Sequence, residues 1–252
     1  MRGGKGGVLT AYYNEFDPFA AAWLRELIKA DLIAAGDVDE RSITEVTAAD
    51  LAGYTQCHFF AGIGGWSYAL RLAGWPDNRP VWTGSCPCQP FSQGGPGDGG
   101  SSKRHLWPSF FALIQECKPS TVMGEQVAGT SGLSWLDGVF TDLERIDYAV
   151  ASSDLVAAFV RDQTRSRLFW LADSANERQP AGQEHIRVVP QEPQVLAYCD
   201  CADGKRRAFE SGSFPLADGL PEIVGRLRGY GNAIVPQVAA EVIRAYMDVV
   251  DH

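Results

Sequence analysis

The stretch from Tyr54 to Gly74 constrains this chain most. An apolar run ending at Phe59-Phe60 passes into Ala61-Gly-Ile-Gly-Gly65, then into a segment of helical character that stops at Gly74. Strand, glycine-rich turn and helix in that order open a doubly wound α/β sheet, where glycines let the backbone approach a nucleotide-type ligand closely. The Gly62-x-Gly64-Gly65 spacing lacks the Gly-x-Gly-x-x-Gly of dinucleotide-dependent oxidoreductases, and a plain tight turn would also satisfy it. With 252 residues, 45% hydrophobic and 21% charged, the chain suits one large globular α/β domain or one domain with a small insert.

The flanking segments fit that class. Met1 to Gly7 is expected to be a flexible end and Val8 to Tyr13 a short strand. Asp17 followed by Pro18 is a helix start, because the carboxylate caps and proline suits the first turn. Apolar spacing predicts a helix over Phe19 to Ala35, closed by Gly36, then a short strand and loop over Asp37 to Asp50. Further strands are predicted at Tyr54 to Phe60, Val81 to Thr83, Thr121 to Glu125, within Tyr148 to Phe159, and at Leu168 to Ala172. Helices are predicted at Trp66 to Leu72, Leu106 to Cys117, Ser131 to Ile146 and Gln237 to Val250. Phe91 to Lys103, rich in glycine and serine, reads as a mobile loop. Asp173 to Leu216 is polar and aperiodic, and reads as a loop or small insert.

Chemistry concentrates after the Val81 strand, in Gly84-Ser-Cys-Pro-Cys-Gln-Pro-Phe-Ser92. A thiol at Cys88, at a strand end under a loose loop, is placed for nucleophilic attack, although a free cysteine is as often buried and inert. Glu125 falls at the carboxyl end of its strand, where doubly wound sheets bind ligands. Arg165 and Arg167 alternate beside the next strand, as a solvated edge or a clamp for phosphate and base. The six cysteines suggest a reduced, cytoplasmic setting rather than a disulfide framework, and Cys199-x-Cys201 lacks the partners of a metal site, so no metal is expected. No run is long enough to cross a bilayer. A net charge of −9 and a pI near 4.9 argue against nucleic-acid binding through a generally basic surface, while a local basic groove is allowed.

Taken together the motifs resemble the DNA (cytosine-5)-methyltransferase family, especially its short phage-type members. Phe60-Ala61-Gly62-Ile63-Gly64-Gly65 resembles its cofactor turn and Pro87-Cys88-Gln89 its catalytic motif. Glu125-Gln126-Val127 stands where the family has Glu-Asn-Val. Gln163-x-Arg165-x-Arg167 matches its substrate clamp and Gly231-Asn232-Ala233 its last motif. All five occur in the family's order. The resemblance implies an α/β, Rossmann-like class I S-adenosylmethionine-dependent methyltransferase sheet with helices on both faces and a reduced target-recognition insert. It implies transfer of methyl from S-adenosylmethionine to C5 of cytosine in double-stranded DNA, through a Cys88 adduct on a flipped-out base. Glu125 would hold cytosine N3, needing a carboxyl kept neutral by a dry pocket. Arg165 and Arg167 would hold the O2 side. Glu15 would accept from ribose hydroxyls, Asp37 from the adenine amino group, and Phe16 and Phe60 would sandwich the adenine. Ser85 and Asn232 would complete the cofactor pocket.

One departure is large. Asn14-Glu-Phe-Asp17, the family's ribose-binding segment, precedes the glycine-rich turn instead of following it, which indicates a circular permutation within the cofactor half. The family's strand order runs 3-2-1-4-5, so a direct connection from the Gly65 helix to the Cys88 strand needs no new pairing, but it leaves the face taken by that helix open. Smaller departures are His58 in place of Asp and Gln126 in place of Asn, whose longer amide is expected to disturb the loop that orients Glu125. The expected organisation is a catalytic and cofactor domain over 1–172, a recognition insert over 173–221 and a C-terminal segment over 222–252 returning to the catalytic domain. Monomeric action is expected, with a partner protein for target recognition left open. The competing readings are an inactive DNA-binding homologue and the same chemistry on RNA.

Overall fold

A computed structural model describes residues 10–87, 106–157, 165–174, 198–200, 206–208 and 234–251. In chain order the elements are β1 Ala11–Asn14, α1 Pro18–Lys29, β2 Gly36–Asp39, a 3-10 turn Ile43–Glu45, α2 Ala48–Leu51, β3 Gln56–Phe59, α3 Gly65–Ala73, β4 Val81–Gly84, α4 Trp107–Cys117, β5 Thr121–Val127, α5 Thr130–Glu144, β6 Ala149–Ala157, β7 Arg165–Asp173, β8 Tyr198–Asp200, β9 Arg206–Ala208 and α6 Pro236–Val250. Seven strands form one sheet in the order β2-β1-β3-β4-β5-β7-β6, parallel from β2 to β5, with β7 antiparallel to both its neighbours. β3, which carries the glycine-rich turn, lies between β1 and β4, as the sequence implied.

One expectation is corrected. Asp17 does cap α1, accepting from the amides of Phe19 and Ala20, but the helix ends at Lys29, six residues short of the expected end. Asp31 turns left-handed there, at φ 54°. Gly36 is therefore not a helix stop. It opens β2, where a Cβ would stand 1.9 Å from the Ala11 carbonyl oxygen, so only glycine allows β1 and β2 to pair. The segment after Asp173, expected as a loop or small insert, holds the antiparallel pair β8 and β9.

Alternation along the strands gives two apolar layers. Tyr12, Phe59, Trp82, Val122, Leu168 and Trp170 pack under α2, α4 and α5. Their neighbours Tyr13, Val81, Met123 and Phe169 pack under α1, α3 and α6. The two faces settle where the permuted helix goes. The β1–α1–β2 crossover moves toward one sheet edge with α1 on the same face as α3 and α6. The path from β2 to β3 and the β4–α4–β5 crossover move the other way on the opposite face, so all three share one hand. The β3–α3–β4 crossover moves with β4–α4–β5 but lies on the α1 face, so its hand is the reverse. Crossovers in parallel sheets are right-handed in about 98% of cases. The odd connection is the one the permutation creates.

Candidate active site

The groups singled out in the sequence meet at the carboxyl edge of β1, β3, β4 and β5. Glu15 follows β1. One carboxylate oxygen accepts from the Gly62 amide at 2.7 Å and the other from the Asp17 amide at 2.8 Å. Burial pushes this carboxyl above its ordinary range, and the two amide donations only partly offset that. The turn it holds has Phe60 at φ 51°, Gly62 at 55° and Gly64 at 82°. A Cβ on Gly62 would meet no atom closer than 4.0 Å, so its outer side is open, and exposed Phe16 stands nearby in sequence to Glu15. Phe60 packs edge-on to Phe110, with centroids 6.1 Å apart. Ala61 closes the turn by accepting from Gly64, and Ile63 anchors it in the α1 layer. At Gly65 a Cβ would stand 2.8 Å from Ile234. The segment after the last motif thus returns to this turn.

Ser85, just past β4, accepts a hydrogen bond from the Trp66 indole at 3.0 Å. Glu125 is buried near the end of β5, and Arg167 near the start of β7 reaches it with Nε 2.6 Å from its carboxylate oxygen. Glu125 and Arg167 lie on the α3 face, with Phe169 between them and Trp66. Arg167 thus stands directly against the buried Glu125 carboxyl. Gln126 points to the other face, where its amide donates to the Cys86 carbonyl at 3.2 Å. Glu125 and Gln126 both lie within β5.

Asp37 is not brought to this edge. It pairs in register with Tyr12, near the amino end of β1, and its carboxylate accepts from the Tyr54 hydroxyl at 2.5 Å. Three residues separate that rung from Glu15, about 10 Å of strand. In this structure Asp37 thus serves the Tyr54 hydrogen bond, about three rungs from Glu15. Cys88 and Asn232 lie outside the described residues, as does the side chain of Arg165, whose backbone opens β7. Sequence reasoning missed Trp66, Phe110 and Ile234. The first follows Gly65 directly, and an indole donor one residue after a ligand turn was the signal available for it. The other two join the site only through tertiary packing.

The residues fit the methyl donor that the fold implies. An open-sided glycine turn, a carboxylate with lone pairs to spare beside it and an exposed aromatic are the parts that take a ribose and a purine. The strand order and the two helix layers make a Rossmann-like α/β fold, the fold also found in S. pombe Dnmt2 methyltransferase. That structure is 13% identical, with a TM-score of 0.50 over 97% of this chain and 100% of that one. Spodoptera frugiperda DNMT2 is 15% identical over 71% of this chain, with a TM-score of 0.47, and the chain spans 47% of it. A putative DNA modification methyltransferase encoded within a prophage of E. coli is 14% identical over 65% of this chain and 46% of that one, with a TM-score of 0.38. No curated protein matches the sequence. Residues 76–195 match the model of the C-5 cytosine-specific DNA methylases. No helix among the described residues is long and apolar enough to cross a membrane.

Proposed function

We propose that the protein methylates cytosine at C5 in DNA, with S-adenosylmethionine as the methyl donor and Cys88 as the nucleophile. The observation that carries this reading is the Glu125–Arg167 contact of 2.6 Å at the carboxyl edge, beside the strand that leads to Cys88. A buried carboxyl and a guanidinium side by side suit a pyrimidine whose N3 and O2 lie side by side. The open turn at Gly62, with Glu15, Phe16 and Phe60, would hold the donor. S-adenosylmethionine supplies an electrophilic methyl group.

The chain's own groups then have separate tasks. The Cys88 thiolate bonds to C6, which makes C5 nucleophilic. Glu125 holds a proton against N3 as charge develops there, and Arg167 pairs with O2. Once C5 has bonded to the methyl group, it loses its proton and the Sγ–C6 bond breaks, which restores the C5–C6 double bond and returns the thiolate. A stacked base is out of reach of all three, so the nucleotide is taken out of the helix at a cost of a few kcal/mol. The family match at 76–195, to DNA methylases, favours DNA over RNA. Retention of the Glu125–Arg167 pair argues against an inactive homologue.

The test is incubation with methyl-labelled S-adenosylmethionine and either duplex DNA or transfer RNA, followed by nucleoside analysis. Labelled 5-methylcytosine from DNA, absent with Cys88→Ser, is expected. Label only in RNA moves the substrate. Label in neither, from protein that binds the donor, overturns the enzymatic reading.

A further inference from the structure

β4 and β5 pair at Trp82 with Val122, Thr83 with Met123 and Gly84 with Gly124, and the ladder stops there. Continued in register, Cys86 would face Gln126. The ladder cannot go on, because Pro87 has no amide hydrogen. This leaves the carbonyl of Cys86 at a buried position where strands part, and a buried carbonyl needs a donor. Gln126 supplies one. Its Nε2 donates to the Cys86 oxygen at 3.2 Å, and its Oε1 accepts from the Val127 amide at 2.9 Å. Both residues are 3% exposed, so water does not compete freely. The side chain thus stands in for the missing rung. The adjacent Glu125 points to the other face, toward Arg167.

We infer that Gln126 is a positioning residue, which ties the chain at Cys86, just past β4, to β5 beside the Glu125 carboxyl. This rests on the proposed roles of Cys88 and Glu125. Asparagine at this position is one carbon shorter, about 1.5 Å less reach, so the longer amide matches the gap this chain opens at Cys86. Misplacement of reacting groups by about 1 Å can cost about a hundredfold in rate.

The experiment compares wild type with Gln126→Glu, Gln126→Asn and Gln126→Ala. It measures methyl transfer at saturating donor, binding of S-adenosylhomocysteine, and thermal melting. Gln126→Glu keeps the length and loses the donor, so it tests the bond without emptying the site. The expected result is a kcat about 10- to 100-fold lower in Gln126→Glu and Gln126→Ala, a smaller fall in Gln126→Asn, and product-analogue affinity within about twofold of wild type in all three. Variants that melt lower but turn over at the wild-type rate when folded would overturn the inference and leave the methyltransferase reading standing. A wild type that binds the analogue but transfers no methyl would overturn the methyltransferase reading itself.

Discussion

The crossovers on either side of β4 make an instructive pair. β3–α3–β4 and β4–α4–β5 advance in the same direction along the sheet, yet their helices lie on opposite faces. Helix α3 keeps the face of α1 and α6, where Trp66, Ala69 and Leu70 pack with Met123, Phe169, Ala239 and Ile243. Helix α4 covers Phe59, Trp82 and Val122 on the other. The lesson is that a helix follows its apolar partners and the connection absorbs the change. Reversing the hand of one short link costs less than moving a helix out of its layer, because the layer buries several large side chains at about 1.5–3 kcal/mol each.

The same two faces divide the labour of the site. Ser85, Glu125 and Arg167 reach out on the α3 face. On the α4 face Phe110 lies against Gly84 and Trp170 against Gly124. Substitutions of the site carboxyl and guanidinium should change rate more than melting, and substitutions that crowd these glycines should do the opposite. The sharpest case is Glu125→Gln, expected to lower kcat about 10³-fold with little change in melting, measured by labelled methyl transfer. Equal kcat in this variant would break the comparison.

His58 gives the next largest effect, in stability. Its ring is fully buried on the α3 face, stacked on Tyr13 and bonded through Nδ1 to the Thr83 hydroxyl at 2.8 Å. Burial pushes its pKa down to about 3. The folded state keeps the ring neutral, while the unfolded state takes up a proton below about pH 6.5. Stability is therefore present above pH 6.5 and is lost as pH falls toward 3, by about 4 kcal/mol from this group. Denaturant titrations across that range should show a shallower pH dependence in His58→Gln. An unchanged slope would remove His58 from the account.

On the α4 face, Gly124→Ala would put a Cβ 2.2 Å from the Trp170 ring. About 3 kcal/mol of stability should go, seen as a melting point lower by about 8 °C, with the folded fraction still turning over normally. At the glycine-rich turn, Glu15→Gln should weaken binding of the donor about tenfold and leave kcat at saturation unchanged, because one charged acceptor is lost. Asp37→Asn should alter donor affinity by less than about twofold, since its partner is Tyr54. Isothermal titration with S-adenosylhomocysteine ranks these last two, and the reverse order would restore Asp37 to the cofactor pocket.

Most elements were legible in the sequence, because period and punctuation mark them, while the order of the central strands came from the family resemblance. Asp17-Pro18 caps a helix, Gly74 ends one, and Gly-Ile-Gly-Gly65 turns a strand into another. Contacts between distant segments were not legible. Gly36 looked like a helix stop, and its real reason is the carbonyl of Ala11 lying against it. Asp37 matched a family tripeptide, but a short match cannot say which rung of a strand it falls on. The hand of β3–α3–β4 depends on which apolar layer wins α3, a sum over side chains from five elements. Gln126 was read as a disturbance because its partner, a backbone carbonyl forty residues away, leaves no mark in sequence.

The most direct measurement is covalent trapping on duplex DNA containing 5-fluorocytosine. Fluorine at C5 blocks the last proton loss, so a methylated base stays bonded to the attacking sulfur. The account predicts a DNA-linked protein that forms only with S-adenosylmethionine present, is absent in Cys88→Ser, and carries the nucleotide on the peptide containing Cys88. Protein that binds the donor and forms no adduct on any duplex, or an adduct mapped to another residue, would contradict it.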